Sequence, residues 1–476
     1  MSRTLKRALF IFGGAVGLLV LVALAAPLFV NVNRYKPQLE AAASNALGME
    51  VRVGGPMSMG LFPNFHVTIR DGQILGEKGE IVASAKRVNL RIELLPLIRK
   101  DFRLRRIELA QPTLSIERDL EGKYNVERLK KSIALLGALN GASVVVSDGT
   151  LRYADRKTGE GFEATDFDLL VNRIRLAGWT SSQPLKGLSF KAELACGVIR
   201  TKEFSVSALK ASVDGKDGIF DLEPVTMRIF GAQAAGSLRA DLSGPVPLYQ
   251  VRCSLPDFRV EEFLKILSPN EAAKGAMDFS ADLSMQGKSG SHLVQSATGE
   301  FILRGGDLTL VGNDLDLVIS RFESSQSFNL VDVAGVFLAG PLGLAVTKGY
   351  NFASLFRGTG GTCRIDTLVS DWSVDRGVAQ AKDVALATTE NRIALQGGLD
   401  LVNERFADVT VAVIDKRGCA SVRQDIRGPF GHPTVEKPRV LKSLVGPALK
   451  LFRQTRGIFP SGPCEVFYSG SVPPPG

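Results

Sequence analysis

The chain has 476 residues, of which 45% are hydrophobic, enough for one long or two ordinary domains and too many for a disordered chain. Lys and Arg number 58 against 49 Asp and Glu, a mild net charge of +9 without blocks of like charge, which excludes a nucleic-acid-binding tail. Three histidines and five scattered cysteines leave little material for a metal centre, and 49 glycines with 22 prolines argue against an all-helical protein.

A long apolar run opens the chain. Residues 8–33 contain no charged side chain, and about 20 apolar residues are enough to cross a bilayer. The basic residues before the run outnumber those after it, which favours a cytoplasmic N-terminus. We therefore expect a transmembrane anchor over residues 8–30 and an exported body. The alternative is a cleaved signal peptide, because Ala23-Leu24-Ala25 resembles a cleavage site; the remaining chain is exported in either case.

Apolar and polar residues alternate through most of the body, which predicts strands with one apolar face. Pairs that contain glycine interrupt these runs, and we interpret them as turns between strands because glycine accepts a positive φ at low cost. The pairs are Asp71-Gly72, Asp148-Gly149, Asp214-Gly215, Asp217-Gly218, Gly305-Gly306 and Gly397-Gly398. Their spacing predicts roughly 20–25 meandering antiparallel strands.

Few segments have helical periodicity. Residues 35–47 predict a helix that ends at Gly48, and shorter helices are predicted at 260–267 and 314–322. The uncharged stretch 333–347 is too short to span a bilayer and predicts a buried helix, with contact to lipid as the alternative. Residues 440–452 form an amphipathic pattern that either caps the sheet or lies on an anionic membrane surface, and capping is favoured.

No catalytic motif is found in the sequence. GxSxG, HExxH and CxxC are all missing, so we expect no enzyme, no cofactor and no metal site. Export permits a disulfide, for which Cys419 and Cys464 are the nearest pair. The favoured interpretation is that most of the cysteines are small apolar strand residues.

The densest basic stretch is residues 86–107, with eight basic and two acidic side chains. In an exported protein it indicates either contact with anionic lipid head groups or an exposed strand face, and the exposed face is favoured. Arg91, Arg103 and Arg105 are the candidate head-group contacts.

An ordered series of short motifs follows the apolar run. It begins with Tyr35-Lys36-Pro37, Leu47-Gly48, Gly54-Gly55 and Leu61-Phe62-Pro63, and continues through residues 83–88, 94–98, 104–112, 114–119 and 145–153. Over residues 1–172 this series resembles the AsmA family, and residues 426–435 resemble its C-terminal part more loosely. The resemblance implies a single-pass inner-membrane protein of Gram-negative bacteria, with its body in the periplasm, that supports phospholipid transport to the outer membrane and the assembly of that membrane.

The implied fold is mainly β: a long antiparallel, curled β-groove with a few short helices and one N-terminal transmembrane helix. The implied partners are phospholipid and the inner membrane, with the outer membrane or a periplasmic protein as further candidates, and no nucleic acid. The alternative function is an assembly or scaffolding factor for outer-membrane proteins that binds no lipid.

The expected segments are a cytoplasmic N-terminus (1–7), the anchor (8–30), an N-terminal β unit (31–130), a linker (131–142), the groove continuation (143–311), a helical segment (312–356), a C-terminal β unit (357–435) and a basic amphipathic helix with its tail (436–476).

An apolar sheet face that too few helices can cover is a solvent for acyl chains. The candidate lipid-facing residues come from two strongly alternating runs and are Val88, Leu90, Ile92, Leu94, Met277, Phe279, Leu283 and Met285. A closed sandwich has the same period-two pattern and remains the structural alternative.

Overall fold

A computed structural model describes residues 32–60, 65–93, 103–127, 139–176, 187–265, 273–312, 314–317, 319–320, 361–430, 432–437, 439–440 and 464–475. The expected anchor over residues 8–30 lies outside these ranges, as do Leu94, the stretch 333–347 and most of the amphipathic pattern 440–452. Within the described ranges, no helix has both the length and the apolar character needed to cross a bilayer.

The described residues are mainly β, as the sequence predicts. They form two compact units, residues 1–223 and 224–476, and the division falls inside the segment 143–311 that the sequence analysis treats as one piece. The helical elements are a 3-10 turn (Val32–Tyr35), α1 (Lys36–Leu47), α2 (Val260–Leu264) and α3 (Gly290–Ser296), and residues 315–317 and 319–320 are also helical. The predicted helix at 35–47 is thus confirmed, and α1 is capped by Gly48 with a φ of 70°. The helix predicted at 260–267 is confirmed over Val260–Leu264, and its last two residues lie outside the described ranges.

The first unit contains nine strands. They are β1 (Glu50–Val53), β2 (Met57–Gly60), β3 (His66–Leu75), β4 (Ile81–Ile92), β5 (Leu104–Arg118), β6 (Ser143–Asp155), β7 (Gly161–Leu176), β8 (Leu188–Arg200) and β9 (Ser205–Lys216). Strand β10 (Ile219–Ile229) crosses the division between the units.

The second unit contains twelve described strands. They are β11 (Ala232–Asp241), β12 (Leu248–Arg259), β13 (Ala273–Lys274), β14 (Ala276–Gln286), β15 (Thr298–Val311), β16 (Thr362–Asp375), β17 (Val378–Thr388), β18 (Arg392–Asp400), β19 (Arg405–Ile414), β20 (Ala420–Pro429), β21 (Thr434–Val435) and β22 (Arg439–Val440).

The sheet of the first unit follows chain order. Strands β1 and β2 both pair with β3, and each later strand pairs with the next as far as β9. Every pair is antiparallel except β5–β6, which is parallel, so the expectation of an entirely antiparallel sheet is wrong at this point. The reason is the long connection between β5 and β6, which returns the chain to the end where β5 begins. No ladder among the described residues joins β9 to β1 or β2, so this sheet is open.

Helix α1 protects the edge of this sheet. The Ser44 hydroxyl accepts a hydrogen bond from the Val51 amide (2.8 Å), and the Glu40 carboxylate accepts one from the Val53 amide (2.7 Å). The Asn33 side chain accepts a third from the Met57 amide (2.9 Å). These side chains accept hydrogen bonds from the amides of β1 and β2 to which a further strand would otherwise bind. The edge is therefore protected from pairing with another chain.

A line of left-handed residues crosses the middle of the sheet. We name it the bulge line; its members, with φ between 51° and 54°, are Asp71, Gln111, Asp148, Asp166 and Ala208. Asp71 and Gln111 both lie opposite Lys86, and Asp166 and Ala208 both lie opposite Gly197, so the line runs straight from strand to strand. The register is the same on both sides of this line in every ladder except β6–β7, so the other strands gain no extra residue there. Each left-handed residue instead turns its own strand out of the extended conformation, and the sheet bends along this line.

Most of the predicted turns are therefore wrong. Asp71-Gly72 and Asp148-Gly149 lie inside β3 and β6, Asp214-Gly215 lies inside β9, and the two Gly-Gly pairs lie inside β15 and β18. Among the six pairs only Asp217-Gly218 forms a turn, between β9 and β10. Asp and Gly accept a positive φ in a mid-strand bulge as readily as in a hairpin, so the dipeptide alone does not distinguish the two.

The second unit has a filled core. Its ladders are all antiparallel and run from β11 to β20, with β13 on β15 and with β21 and β22 on β20. On one face Ile365, Leu386 and Ile393 are 0% exposed and pack with Phe263 and Leu264 of α2. The space over this face is occupied by the chain's own side chains.

Residues 464–475, here named the C-terminal strap, cover the other face of the same strands. Tyr468 and Val472 pack on the small side chains of β16–β19, and a disulfide joins Cys464 to Cys419. The buried Arg392 guanidinium donates to the Val472 carbonyl (3.0 Å) and lies 5.6 Å from the centre of the Tyr468 ring. The disulfide that the sequence left open is therefore present, while the buried Cys196 and Cys363 are small strand residues.

Glycine at position 208 should stabilise the protein. Ala208 is exposed at a φ of 51°, a conformation that costs a non-glycine residue about 1–2 kcal/mol. We expect Ala208→Gly to raise the free energy of unfolding by about 0.5–1 kcal/mol. The control is Ala195→Gly in the regular part of β8, where glycine should lower stability by a similar amount. Chemical denaturation measures both, and a loss of stability in both variants contradicts the bulge line.

Removing the disulfide should release the strap. The cysteines are 45 residues apart, and we expect Cys419→Ala/Cys464→Ala to lower the free energy of unfolding of the second unit by about 2–4 kcal/mol. Hydrogen exchange in β17–β19 and thermal unfolding measure the effect. Cys363→Ala is the control, because Cys363 is as buried as Cys419 but forms no disulfide. Equal losses in the two variants would show that the crosslink itself contributes nothing.

The strap should also loosen in acid. Burial alone would raise the pKa of Asp383, but hydrogen bonds from Ser471 and Tyr468 outweigh it and hold the pKa below its ordinary value. A lowered folded-state pKa stabilises the protein above the ordinary carboxyl pKa and loses that contribution as the pH falls through the folded value. The protection of the strap amides, measured as their exchange rate relative to the intrinsic rate at the same pH, should therefore fall below about pH 3.9. Asp383→Asn should flatten this dependence, whereas Asp375→Asn, at an exposed site, should leave it unchanged.

Candidate functional site

Two rows of apolar side chains cross the sheet of the first unit without interruption. Each residue of a row is the direct partner of the next one on the neighbouring strand. The first row is Val67, Leu90, Ile107, Val144, Val171, Ala192 and Val213. The second row is Ile69, Val88, Leu109, Val146, Leu169, Leu194 and Ala211.

A third row lies beyond the bulge line and is built in the same way. It consists of Ile74, Ala83, Leu114, Leu151, Ala164, Ile199 and Val206. In β4 the apolar residues have odd numbers before Lys86 and even numbers from Val88 onwards. Every strand from β3 to β9 shows such a change between odd and even numbers. Two consecutive residues of each strand therefore lie on the polar face at the bulge line. This shift keeps all three rows on one side of the sheet, here named the apolar face.

The apolar face is not filled by the described side chains. Four of its members, Ile69, Ala164, Ala192 and Val206, are buried, and the others are half-buried. Described residues cover it only at its margins, where Leu39 of α1 packs near Ile69 and where Leu139 packs near Leu90. Large aliphatic side chains that stay half-exposed across seven adjacent strands form a continuous apolar surface, the kind that marks a binding site.

The opposite face of the same sheet is polar. Lys191 pairs with Asp214 on the neighbouring strand (2.8 Å), and Arg152 pairs with Glu163 (2.7 Å). Val145 and Leu170 are apolar exceptions that lie directly opposite each other on this face, and Val198 is another. The unit is thus one sheet layer with a solvated face and an apolar face, as the period of two in the sequence predicts.

The first group of predicted lipid-facing residues divides between the apolar face and its margin. Val88 and Leu90 lie in the two central rows. Ile92 is buried against Leu104 and Ala142 at the end of β4, and Leu94 lies outside the described residues.

The second group belongs to the filled core of the second unit. Met277 is 2% exposed, and Phe279, Leu283 and Met285 pack against the same core. The side chains of β15 and α2 take up the space that a ligand would need there. The alternating pattern is equally strong in both groups, so the sequence could not separate a filled face from an open one.

The predicted head-group residues lie at the ends of β4 and β5. Arg91 is on the polar face and binds the Glu108 carboxylate (3.0 Å), which also forms an ion pair with Arg106 (2.8 Å). Arg103 and Arg105 are exposed where β5 begins. Arg91 thus lies on the side of the sheet opposite Leu90, away from the apolar rows.

Most of the apolar face was missed at the sequence level. Ile107, Leu109, Val144, Val146 and Leu169 are central to it, yet none was named as lipid-facing. The signal that could have found them is the change in the parity of the apolar positions, from odd to even at Gln111 and from even to odd at Asp148 and Asp166, which marks an irregular residue inside a continuing strand rather than a turn.

One group of side chains has the composition of a metal site. The ligand atoms of Asp314, Asp316 and Cys363 lie within 4.8 Å of one another. Asp316, however, already accepts hydrogen bonds from Thr388, Thr389 and Asn391. Burial raises the pKa of the Cys363 thiol to about 11, so the thiolate that a metal requires is disfavoured. We interpret the group as a structural contact that ties residues 314–317 to β16 and β17.

Comparison with known proteins finds a family match in the first part of the chain. Residues 1–176 match the model of the AsmA family, which confirms the resemblance of the motifs over residues 1–172. The match covers β1 to β7, where most of the apolar face lies. No curated protein shows a significant match to the chain.

Proposed function

We propose, from the AsmA-family assignment and the open apolar face, that the chain binds the acyl chains of phospholipids on that face. It acts as a single-pass protein of the bacterial inner membrane, anchored by residues 8–30, with its body in the periplasm. There it supports the transport of phospholipid to the outer membrane and the assembly of that membrane. The single observation that carries the proposal is the set of three unfilled apolar rows.

The energetics suit this role. An acyl chain of about 16 carbons loses roughly 12 kcal/mol when it is exposed to water, at about 0.8 kcal/mol per methylene. An apolar surface removes most of this barrier and requires no bond to be broken. The proposed function therefore needs no catalytic residue and no cofactor.

The direction of the rows is the direction of movement. They run perpendicular to the strands, and seven strands about 4.8 Å apart extend each row over roughly 29 Å. No charged residue interrupts any of the three rows. The bend along the bulge line supports a curled trough whose floor is the apolar face.

The proposed compartment is supported by the cysteines. The disulfide between Cys419 and Cys464 fixes the C-terminal strap, and such bonds persist in oxidising compartments such as the periplasm. Together with the uncharged run at the N-terminus, this favours an anchored and exported protein.

A second candidate is a scaffold for outer-membrane protein assembly that binds no lipid. The observation that favours it is the core of the second unit, which is filled on one face and covered by the strap on the other. On this hypothesis the apolar face of the first unit would bind a protein partner.

Two pairs of equivalent residues distinguish these candidates. Val146 and Leu169 are partners on the apolar face, while Val145 and Leu170 are partners on the polar face of the same two strands. The full chain, extracted in mild detergent, is analysed for bound phospholipid by native mass spectrometry. We expect Val146→Asn/Leu169→Asn to lower the bound phospholipid at least about tenfold, because the two half-buried side chains together lose more than the roughly 1.4 kcal/mol that corresponds to a factor of ten.

Val145→Asn/Leu170→Asn is the matched control and should retain its lipid, because it makes the same chemical change on the solvated face. Thermal unfolding of both variants confirms that they remain folded. A wild-type protein that is stable and carries no phospholipid rejects the lipid-binding proposal and favours the scaffold. Equal lipid loss in both variants would reject the assignment of the binding surface to the apolar face.

A further inference from the structure

An unusual pair of like charges lies on the polar face. Arg70 of β3 and Arg87 of β4 are direct cross-strand partners, and both are exposed. Lys86 is exposed beside them, because the shift at the bulge line places Lys86 and Arg87 on the same side. Like charges directly opposite each other destabilise a sheet, so this arrangement has a local cost.

The neighbouring charges do not neutralise the pair. Within the described part of the chain, the side chains of Arg70, Lys86 and Arg87 form no ion pair and no side-chain hydrogen bond. Glu108 is shared between Arg91 and Arg106, and Asp71 lies opposite Lys86 without pairing to it. We name five basic residues the basic patch: Arg70, Lys86, Arg87, Arg91 and Arg106. Their five positive charges are thus set against two carboxylates, those of Asp71 and Glu108.

Other parts of the same polar face are built differently. Lys191 pairs with Asp214 and Arg152 with Glu163, each across neighbouring strands. In the second unit Arg252 and Asp282 pair in the same way. The pair Arg70 and Arg87 thus differs from these three cross-strand pairs, each of which joins opposite charges.

The position of the patch in the chain suggests what it meets. Strand β3 begins at His66 and is the third strand after the expected anchor over residues 8–30. The strands that carry the patch are therefore among the first parts of the body to leave the membrane. Chain proximity places them closer to the bilayer surface than strands encoded later.

We propose that the basic patch binds the phosphates of anionic phospholipids at the surface of the membrane that holds the anchor. Arg is suited to this role because its planar guanidinium donates two parallel hydrogen bonds to one phosphate. A phosphate between Arg70 and Arg87 would bind both guanidinium groups and lower the repulsion between them. This contact holds the first strands against the membrane and is distinct from acyl-chain binding on the opposite face.

The inference is tested with the full chain in nanodiscs. One set contains neutral phosphatidylcholine alone, and in the other roughly a third of the lipid is phosphatidylglycerol. Lys86 is modified by acetylation, and Arg70 and Arg87 are modified with phenylglyoxal. Mass spectrometry gives the modification rate of each side chain in both sets of nanodiscs. One basic residue near an anionic surface gains about fivefold in binding, so we expect these three residues to react at least about fivefold more slowly in the anionic nanodiscs.

Internal controls come from the same samples. Lys210 on the polar face of β9 should react equally in both nanodiscs. Salt at roughly 1 M shortens the Debye length to about 3 Å and should abolish the protection. Inorganic phosphate added to neutral nanodiscs should not reproduce it. Equal rates in neutral and anionic nanodiscs overturn the proposal, and protection by free phosphate alone rejects the membrane surface as the ligand.

A charge-matched variant gives an independent readout. Phosphatidylglycerol with a photoreactive head group is incorporated, and crosslinks to residues 65–93 are counted. Arg70→Gln/Lys86→Gln/Arg87→Gln should lower these crosslinks about tenfold or more. Lys157→Gln/Lys210→Gln/Lys216→Gln removes the same charge from exposed sites elsewhere in the unit and should leave them unchanged. An equal loss of crosslinks in both variants would mean that total positive charge, and not the patch, determines the contact, and would reject the patch as a site.

The test is independent of the groove. Val146→Asn/Leu169→Asn removes lipid from the apolar face but leaves the basic patch intact. In this variant the protection of Lys86 should persist, so failure of the groove and failure of the patch give different results.

Discussion

The structure of the first unit depends on keeping three rows of apolar side chains on one face of a bent sheet. Strands of ten to sixteen residues pass through the bend. Without correction, a bulged residue would send the alternation after it to the wrong face. The left-handed residues from Asp71 to Ala208 lie at one level across the sheet, so every strand shifts at the same place. Three apolar rows thereby remain continuous where a single misplaced bulge would break them.

This arrangement also explains a proline in the middle of a long strand. Pro112 lies in β5 next to Gln111, where the ladder is already disturbed by the bulge. A proline cannot donate a ladder hydrogen bond and is tolerated in strands at bulges or edges. The bend therefore occurs at a level of the sheet where hydrogen bonding is already incomplete, and the regular ladders on both sides remain intact.

The two units have the same alternating strand pattern, but their apolar faces are covered to different extents. In the second unit, α2, β15 and the C-terminal strap supply enough side chains to bury β16–β19 on both faces. The described side chains thus fill both faces of these strands. In the first unit the 3-10 turn and α1 lie at the margin and bind the edge amides of β1 and β2, and no second layer covers the apolar face among the described residues. A stable but filled unit and an open unit together suit a protein that presents an apolar surface without collapsing on it.

The sequence by itself determined the chemistry of the faces. Alternation predicted strands, the excess of strands over helices predicted a mainly β protein, and the ordered motifs before residue 172 indicated the family. Val88 and Leu90 could be placed on an apolar face because a period of two is a local property of the backbone. The helix that ends at Gly48 was predictable for the same reason, since a left-handed glycine is a local stop signal.

Only the tertiary structure decided which apolar face is covered. Met277 and Leu90 have the same local pattern, but the surroundings of Met277 include α2 and β15, which are distant in sequence from each other and from β16. The parallel pairing of β5 with β6 and the straight course of the bulge line are likewise relations between strands, invisible in any one of them. Burial depends on what lies across the sheet, and alternation records only which side of its own strand a residue occupies.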